Sequence, residues 1–157
     1  MSTQAPQTII EHWDITYTHD MGPIVSEFYD RLANDEIWGR HCPKCDRVLV
    51  PPRSFCDRDF TDTDRWVAVQ PHGTIETYTV VFQKFKGLPD PPYCIAYVLL
   101  DGADSSILNF VKLPEDFAAG DAQSRLKIGQ RVTVVFAPKA SRTGRITDFW
   151  FEVDSAR

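Results

Sequence analysis

The run Cys42-Pro43-Lys44-Cys45, a gap of ten residues, and then Cys56-Asp57-Arg58-Asp59 constrain this chain more than any other feature. A Cys-x-x-Cys turn aims two sulfurs at one point, and a matching second turn completes a four-donor cage for one metal ion. Here the last position of the second turn is a carboxylate, Asp59, an accepted but less common zinc donor. Three readings of the fourth donor stand side by side. It is Asp59, at the turn's own spacing; or it is His41, whose place directly before Cys42 tends to turn its ring away; or the ribbon is degenerate and holds little or no metal. With every donor supplied by the protein, the expected role of the Zn2+ ion is structural rather than catalytic. Asp46 follows the first turn, where glycine is frequent, and aspartate tolerates the left-handed backbone used there.

A chain of 157 residues is long enough for one ordinary domain, or a small one with an appendage. A chain of this length buries roughly 68–70% of its unfolded surface. A hydrophobic content of 43% with 12% aromatics argues for a folded protein. No apolar run approaches the roughly 20 residues of a membrane helix, and no secretory signal is visible, so a cytoplasmic location with reduced thiols is expected. Clustered cysteines then read as metal ligands rather than disulfides. The net charge of −5 is carried by residues 1–40, which hold seven acids and two bases. An acidic head on a neutral body suits phosphate backbones poorly, because such binding rests on cation density.

The pattern predicts a mainly β protein with an N-terminal helix, divided into an arm and helix over 1–39, a metal ribbon over 40–65 and a β domain over 66–157. Residues 1–20 read as an extended arm, with weak alternation from Ile15 to Thr18. Asp20 is a candidate cap and Pro23 sits in the first turn. Ile24, Val25, Phe28 and Leu32 then share a helical face. That face packs on the chain's own core or docks on a partner; the sequence leaves both open. Val48-Leu49-Val50 is a short strand between the two turns. Five further strands are expected near Ile75–Val81, Ile95–Leu100, Ser106–Val111, Arg131–Phe136 and Ile146–Val153. Five antiparallel strands suit a small closed barrel of the oligonucleotide/oligosaccharide-binding (OB) type, with a split sandwich as the alternative. Pro114 to Ser124 is a candidate for a turn of helix.

Outside the ribbon the chemistry is sparse. Cys94, at a strand entrance, reads as a core thiol. His72 reads as a turn residue. No Ser-His-Asp set, phosphate loop or paired carboxylates can be picked out, so no catalytic residue is assigned. Lys84 and Lys86 follow the first long strand, and Lys139, Arg142 and Arg145 precede the last. In a five-stranded barrel these loops can share one end and hold a phosphate-rich ligand such as coenzyme A; solvated loop charges are the plainer reading. Tyr78, Phe82 and Phe85 are candidates for stacking bases in a nucleic-acid binder, a reading the charge distribution opposes.

In combination, several segments carry a resemblance. They are Gly39-Arg40-His41-Cys42-Pro43-Lys44-Cys45, Val50-Pro51-Pro52-Arg53 leading to Cys56, Trp66, Gly73-Thr74-Ile75, Tyr78-Thr79-Val80-Val81, Pro91-Pro92-Tyr93, Ala96-Tyr97-Val98 and Lys127-Ile128-Gly129-Gln130-Arg131-Val132. Over about residues 22–153 the chain resembles the zinc-ribbon/OB-fold acyl-CoA-associated family, small subunits that accompany thiolase-like enzymes. The resemblance implies a rubredoxin-like zinc ribbon followed by a five-stranded OB barrel. It also implies a thiolase-like large subunit that owns the nucleophilic cysteine, and an acyl-CoA thioester as ligand of the complex. One group in this family accompanies a thiolase for an aromatic succinyl-CoA. Other members look like accessory subunits of acyl-CoA hydratases or retro-aldolases. The family's four-cysteine ribbon is broken here at Asp59.

Overall fold

The computed structural model describes residues 16–118 and 125–154. Its elements run α1 (Pro23–Ala33), β1 (Trp38–His41), β2 (Val48–Leu49), β3 (Trp66–Ala68), β4 (His72–Val81), β5 (Tyr93–Leu100), β6 (Ile107–Val111), β7 (Arg131–Phe136) and β8 (Phe149–Val153). Most of the expected arm, residues 1–15, and much of the expected helical turn, residues 119–124, lie outside the described residues.

Strands β4 to β8 close into a barrel in the order β4-β5-β6-β8-β7, with β7 returning to β4. Only β6 and β8 run parallel, at Val111↔Phe151. This is the expected OB architecture, and alternation along β5 and β6 fills its interior with Cys94, Ala96, Val98, Leu100, Ile107 and Val111. In β4 the pairing register shifts between Ile75 and Thr77. The extra residue moves Tyr78 and Val80 onto the core side and leaves Thr77 and Thr79 exposed, so the inward alternation that starts at Gly73 and Ile75 changes phase midway. Gly73 is required by crowding: a Cβ there would lie 2.5 Å from the Leu99 carbonyl oxygen.

The ribbon has its own three-stranded sheet, ordered β2-β1-β3. Trp66–Ala68 therefore pairs with Trp38–His41 of the ribbon. Gly39 sits where a Cβ would meet the Val48 side chain at 2.6 Å. Ribbon and barrel are joined by hydrogen bonds and by a shared core. The Val48 N–H donates to Asp104 Oδ2 (2.8 Å) and the Val50 N–H to Ser105 Oγ (2.8 Å). Phe28, Leu32, Ile37, Val50 and Val69 belong to the same buried cluster as the barrel interior.

Helix α1 packs the C-terminal part of its apolar face on the chain's own core. Phe28 and Leu32 are buried, and each such side chain stabilises by about 1.5–3 kcal/mol. Val25 stays exposed and Ile24 half-buried. The expected Asp20 cap is corrected: Gly22 is the N-cap, with no side-chain hydrogen bond, and its carbonyl accepts from the Ser26 N–H at 3.0 Å. Two further expectations change. His72 begins β4 instead of lying in a turn, its ring hydrogen-bonded to Thr133 Oγ1 at 3.0 Å. Ile146–Asp148 forms a 3-10 turn, so the last strand starts at Phe149.

Candidate metal centre

The two knuckles are built alike, although their sequences differ. In the first, the Asp46 N–H donates to the Cys42 carbonyl at 2.9 Å and the Cys42 N–H to the Arg47 carbonyl at 2.8 Å. In the second, the Phe60 N–H donates to the Cys56 carbonyl and the Cys56 N–H to the Thr61 carbonyl, both at 2.9 Å. The residue after each second donor has positive φ, 61° at Asp46 and 52° at Phe60. Each loop is thereby closed so that its donors face the other's.

Cys42, Cys45, Cys56 and Asp59 converge: their donor atoms all lie within 4.8 Å of one another. Cys45 Sγ is 3.7 Å from Cys56 Sγ, and Asp59 Oδ2 is 3.7 Å from both Cys42 Sγ and Cys56 Sγ. Tetrahedral zinc with Zn–S bonds of about 2.3 Å separates two sulfurs by about 3.8 Å, so these spacings fit one ion. Cys42 and Cys56 are fully buried. Their electrostatics suit a cation as well. A hydrogen bond to the Asp59 carboxylate, aided by burial, pushes the Cys45 thiol up to about 12, and the same bond holds the Asp59 carboxyl below the usual range. At Cys56 burial pushes the thiol up, but N–H groups of Arg58 and Asp59 aimed at the sulfur outweigh it and bring it down. Four donors share protons at a point where a divalent ion would replace them.

His41 is no part of this group. Its Nε2 lies 2.7 Å from Asp46 Oδ1 and its Nδ1 2.7 Å from Asp64 Oδ1, with an Arg65 guanidinium nitrogen 2.6 Å from the same Nδ1. These bonds, Asp46 first, raise its pKa and lower those of both aspartates. A buried histidine between two carboxylates ties the first knuckle to the chain entering β3. No spacing in the sequence announces this, because Asp64 approaches through the sheet.

Of the five basic residues, Lys86 is exposed in the β4–β5 loop, and Lys139 and Arg142 share one partner. Lys84 pairs with Asp90. Arg142 donates to the Ala33 carbonyl at 2.7 Å, pairs with Asp35, and is mostly buried; Lys139 lies 4.0 Å from the same aspartate. Arg145 borders a cleft of about 490 Å³, between Gly87-Leu88-Pro89 on one side and Ile146-Thr147 on the other, with Tyr29 and Phe110 in its wall. The β4–β5 and β7–β8 loops thus meet at one end of the barrel. Of the three stacking candidates, Tyr78 is half-buried and donates its hydroxyl to the Leu126 carbonyl at 2.9 Å, while Phe82 and Phe85 are exposed. Cys94 is the core thiol expected, fully buried and pushed up to about 12 by burial. No helix among the described residues is long and apolar enough to cross a membrane.

A zinc-ribbon sheet joined to an OB barrel defines the class. The rubredoxin-like zinc ribbon domain of ChsH2 matches residues 30–64, and the ChsH2 C-terminal OB-fold domain matches residues 66–137. The chain belongs to this ChsH2-type zinc-ribbon/OB-fold family. Two solved structures share the fold. One is a protein of unknown function from the DUF35 family of Sulfolobus solfataricus, 21% identical, with a TM-score of 0.62 over 85% of this chain and 87% of that one. The other is an Ltp2-ChsH2(DUF35) aldolase, 14% identical, with a TM-score of 0.60 over 87% of this chain and 97% of that one. No curated protein sequence matches the chain.

Proposed function

We propose that this chain is the non-catalytic small subunit of a thiolase-type acyl-CoA complex. Cys42, Cys45, Cys56 and Asp59 hold a structural zinc ion that fixes the ribbon. The observation that carries the reading is the family itself, a closed metal clip joined to an OB barrel, with a fold relative named for two components, Ltp2 and ChsH2. In this reading the 490 Å³ cleft between the barrel loops borders the entrance for acyl-CoA on the large subunit. Lys84, Lys86, Lys139 and Arg145 supply positive charge for its phosphates, and Arg142 holds the β7–β8 loop in place through Ala33 and Asp35. The second reading, an accessory subunit of a retro-aldolase or hydratase, is favoured by the word aldolase in the name of that same relative.

Co-expression with a thiolase-like chain from the same genome tests the proposal. The expected result is a single heteromeric peak on sizing, with activity that the large chain lacks alone. Separate elution with a fully active large chain would sink it. Assays with a 3-oxoacyl-CoA plus coenzyme A, a 3-hydroxyacyl-CoA and an enoyl-CoA then decide between the thiolase, aldolase and hydratase partners.

A further inference from the structure

Phe60 is an unusual residue for its position. The closure of the second knuckle sets its φ at 52°, a left-handed backbone that glycine adopts freely and a bulky side chain does not. In the first knuckle the equivalent residue is Asp46, which tolerates this geometry and bonds His41. Phe60 receives nothing comparable: its ring is 82% exposed. Phe55, at the base of the same loop and bridged to Asp62, is 47% exposed as well. Backbone strain and ring exposure both count against Phe60 in the isolated chain.

The charges beside it point the same way. Lys44 and Arg58 take the third place in the two knuckles and are both exposed. Neither side chain has an ion pair or hydrogen bond among the described residues. Nearby Arg47 and Arg53, by contrast, both pair with Asp57. Two exposed cations flank a presented aromatic ring on a chain of net charge −5. Lys44 also acts through space on the Asp59 carboxylate, whereas no charged partner faces Arg58 among the described residues. The set matches the make-up of an interface hot spot whose counterpart carries carboxylates.

We propose that the tip of the second knuckle is a protein-docking knob. The Phe60 ring enters an apolar pocket on the large subunit, and Lys44 and Arg58 meet carboxylates at its rim. This rests on the accessory-subunit reading above and names the contact that reading requires. A nucleic-acid strand is the other partner that suits an aromatic ring beside cations, but two cations on an acidic chain give little affinity for a phosphate backbone.

The test uses full-length Phe60→Gly and the double variant Lys44→Glu/Arg58→Glu, each titrated against the co-purified thiolase-like chain. Phe60→Gly is expected to raise the Tm of the isolated chain by about 2–4 °C, as relief of left-handed strain should, while weakening the complex about tenfold or more. Zinc content should stay the same. The double variant is expected to weaken the complex similarly and to flatten its salt dependence. Unchanged affinity in both variants overturns the docking knob and leaves the accessory-subunit reading standing. Loss of zinc with a lowered Tm in Phe60→Gly overturns it too, because Phe60 would then be structural. Tight binding of a 20-nucleotide single strand, abolished by the same substitutions, overturns it in favour of nucleic acid. A wild-type chain that never binds the large chain removes both readings together.

Discussion

The Asp148 carboxylate accepts the backbone N–H groups of Thr143, Gly144 and Arg145 at 2.7–3.1 Å, together with the Thr143 hydroxyl at 3.0 Å. One side chain thereby shapes the β7–β8 loop. Burial alone would raise its carboxyl, but these donors prevail and its folded pKa is lowered. The contribution is thus complete above the unfolded value of about 3.9 and is lost as pH falls through the folded one. Asp148→Asn should cost about 1–2 kcal/mol at neutral pH, and the gap to wild type should close below about pH 4. Urea midpoints across pH 2–7 check this; a gap constant with pH would refute it. Gly73→Ala tests close packing in the same way. Its Cβ would press on the Leu99 carbonyl oxygen at 2.5 Å, so a loss of about 1–3 kcal/mol is expected in thermal unfolding. Gly39, like Gly73, sits where a neighbouring strand comes too near for a side chain.

Among the elements, α1 is fastened at its C-terminal end. Arg142 bonds the Ala33 carbonyl and Asp35 from across the barrel, and Arg31 lies 4.2 Å from the Trp38 ring centroid and 4.9 Å from that of Trp66. Arg142→Ala should leave the barrel folded and raise amide exchange over residues 23–35 at least several-fold, read by mass spectrometry; unchanged exchange there would show the apolar contacts of Phe28 and Leu32 to suffice. The strands show what a sequence can and cannot tell. β5, β6 and β7 are legible because a short apolar, β-branched run bounded by turn residues is a local signal. The bulge in β4 is not, since pairing with β5 creates it. The start of β8 was misplaced because Asp148 turns Ile146–Asp148 into a 3-10 turn through hydrogen bonds that apolarity does not encode. The spacing of the two turns already places Cys42, Cys45 and Cys56 together and leaves Asp59 and His41 as rivals for the fourth position. In the structure Asp59 converges with the three sulfurs. The His41 bridge and the reach of Arg142 to α1 depend on contacts 23 and 109 residues apart in the chain.

At the scale of the molecule, buried apolar side chains among the described residues gather in two clusters of unequal size. Cys42, Leu49 and Cys56 form a small one around the donor atoms, while the large one runs from α1 through Val50 and Val69 into the barrel. So small a cluster has little apolar area to offset chain entropy, and the ion's binding energy should be its main support. Removing metal with a strong chelator should therefore loosen residues 38–64 and leave β4–β8 intact. Amide exchange by segment is the measurement, and cooperative loss of the barrel with the ribbon would contradict it. Asp59→Ala should release zinc at lower chelator concentrations than wild type, and Asp59→Cys should hold it against higher ones.

The parallel seam between β6 and β8 is the thinnest stave of the barrel. One registered pair, Val111↔Phe151, is supplemented by the Lys112 N–H on the Phe151 carbonyl and by the Asn109 amide, which bridges the carbonyls of Ile146 and Phe149 at 2.9 Å each. That lone amide works as a rivet. Thermal breathing of the cylinder should start along this line, so a crowbar as slight as Asn109→Leu ought to pry it apart before any other wall gives way.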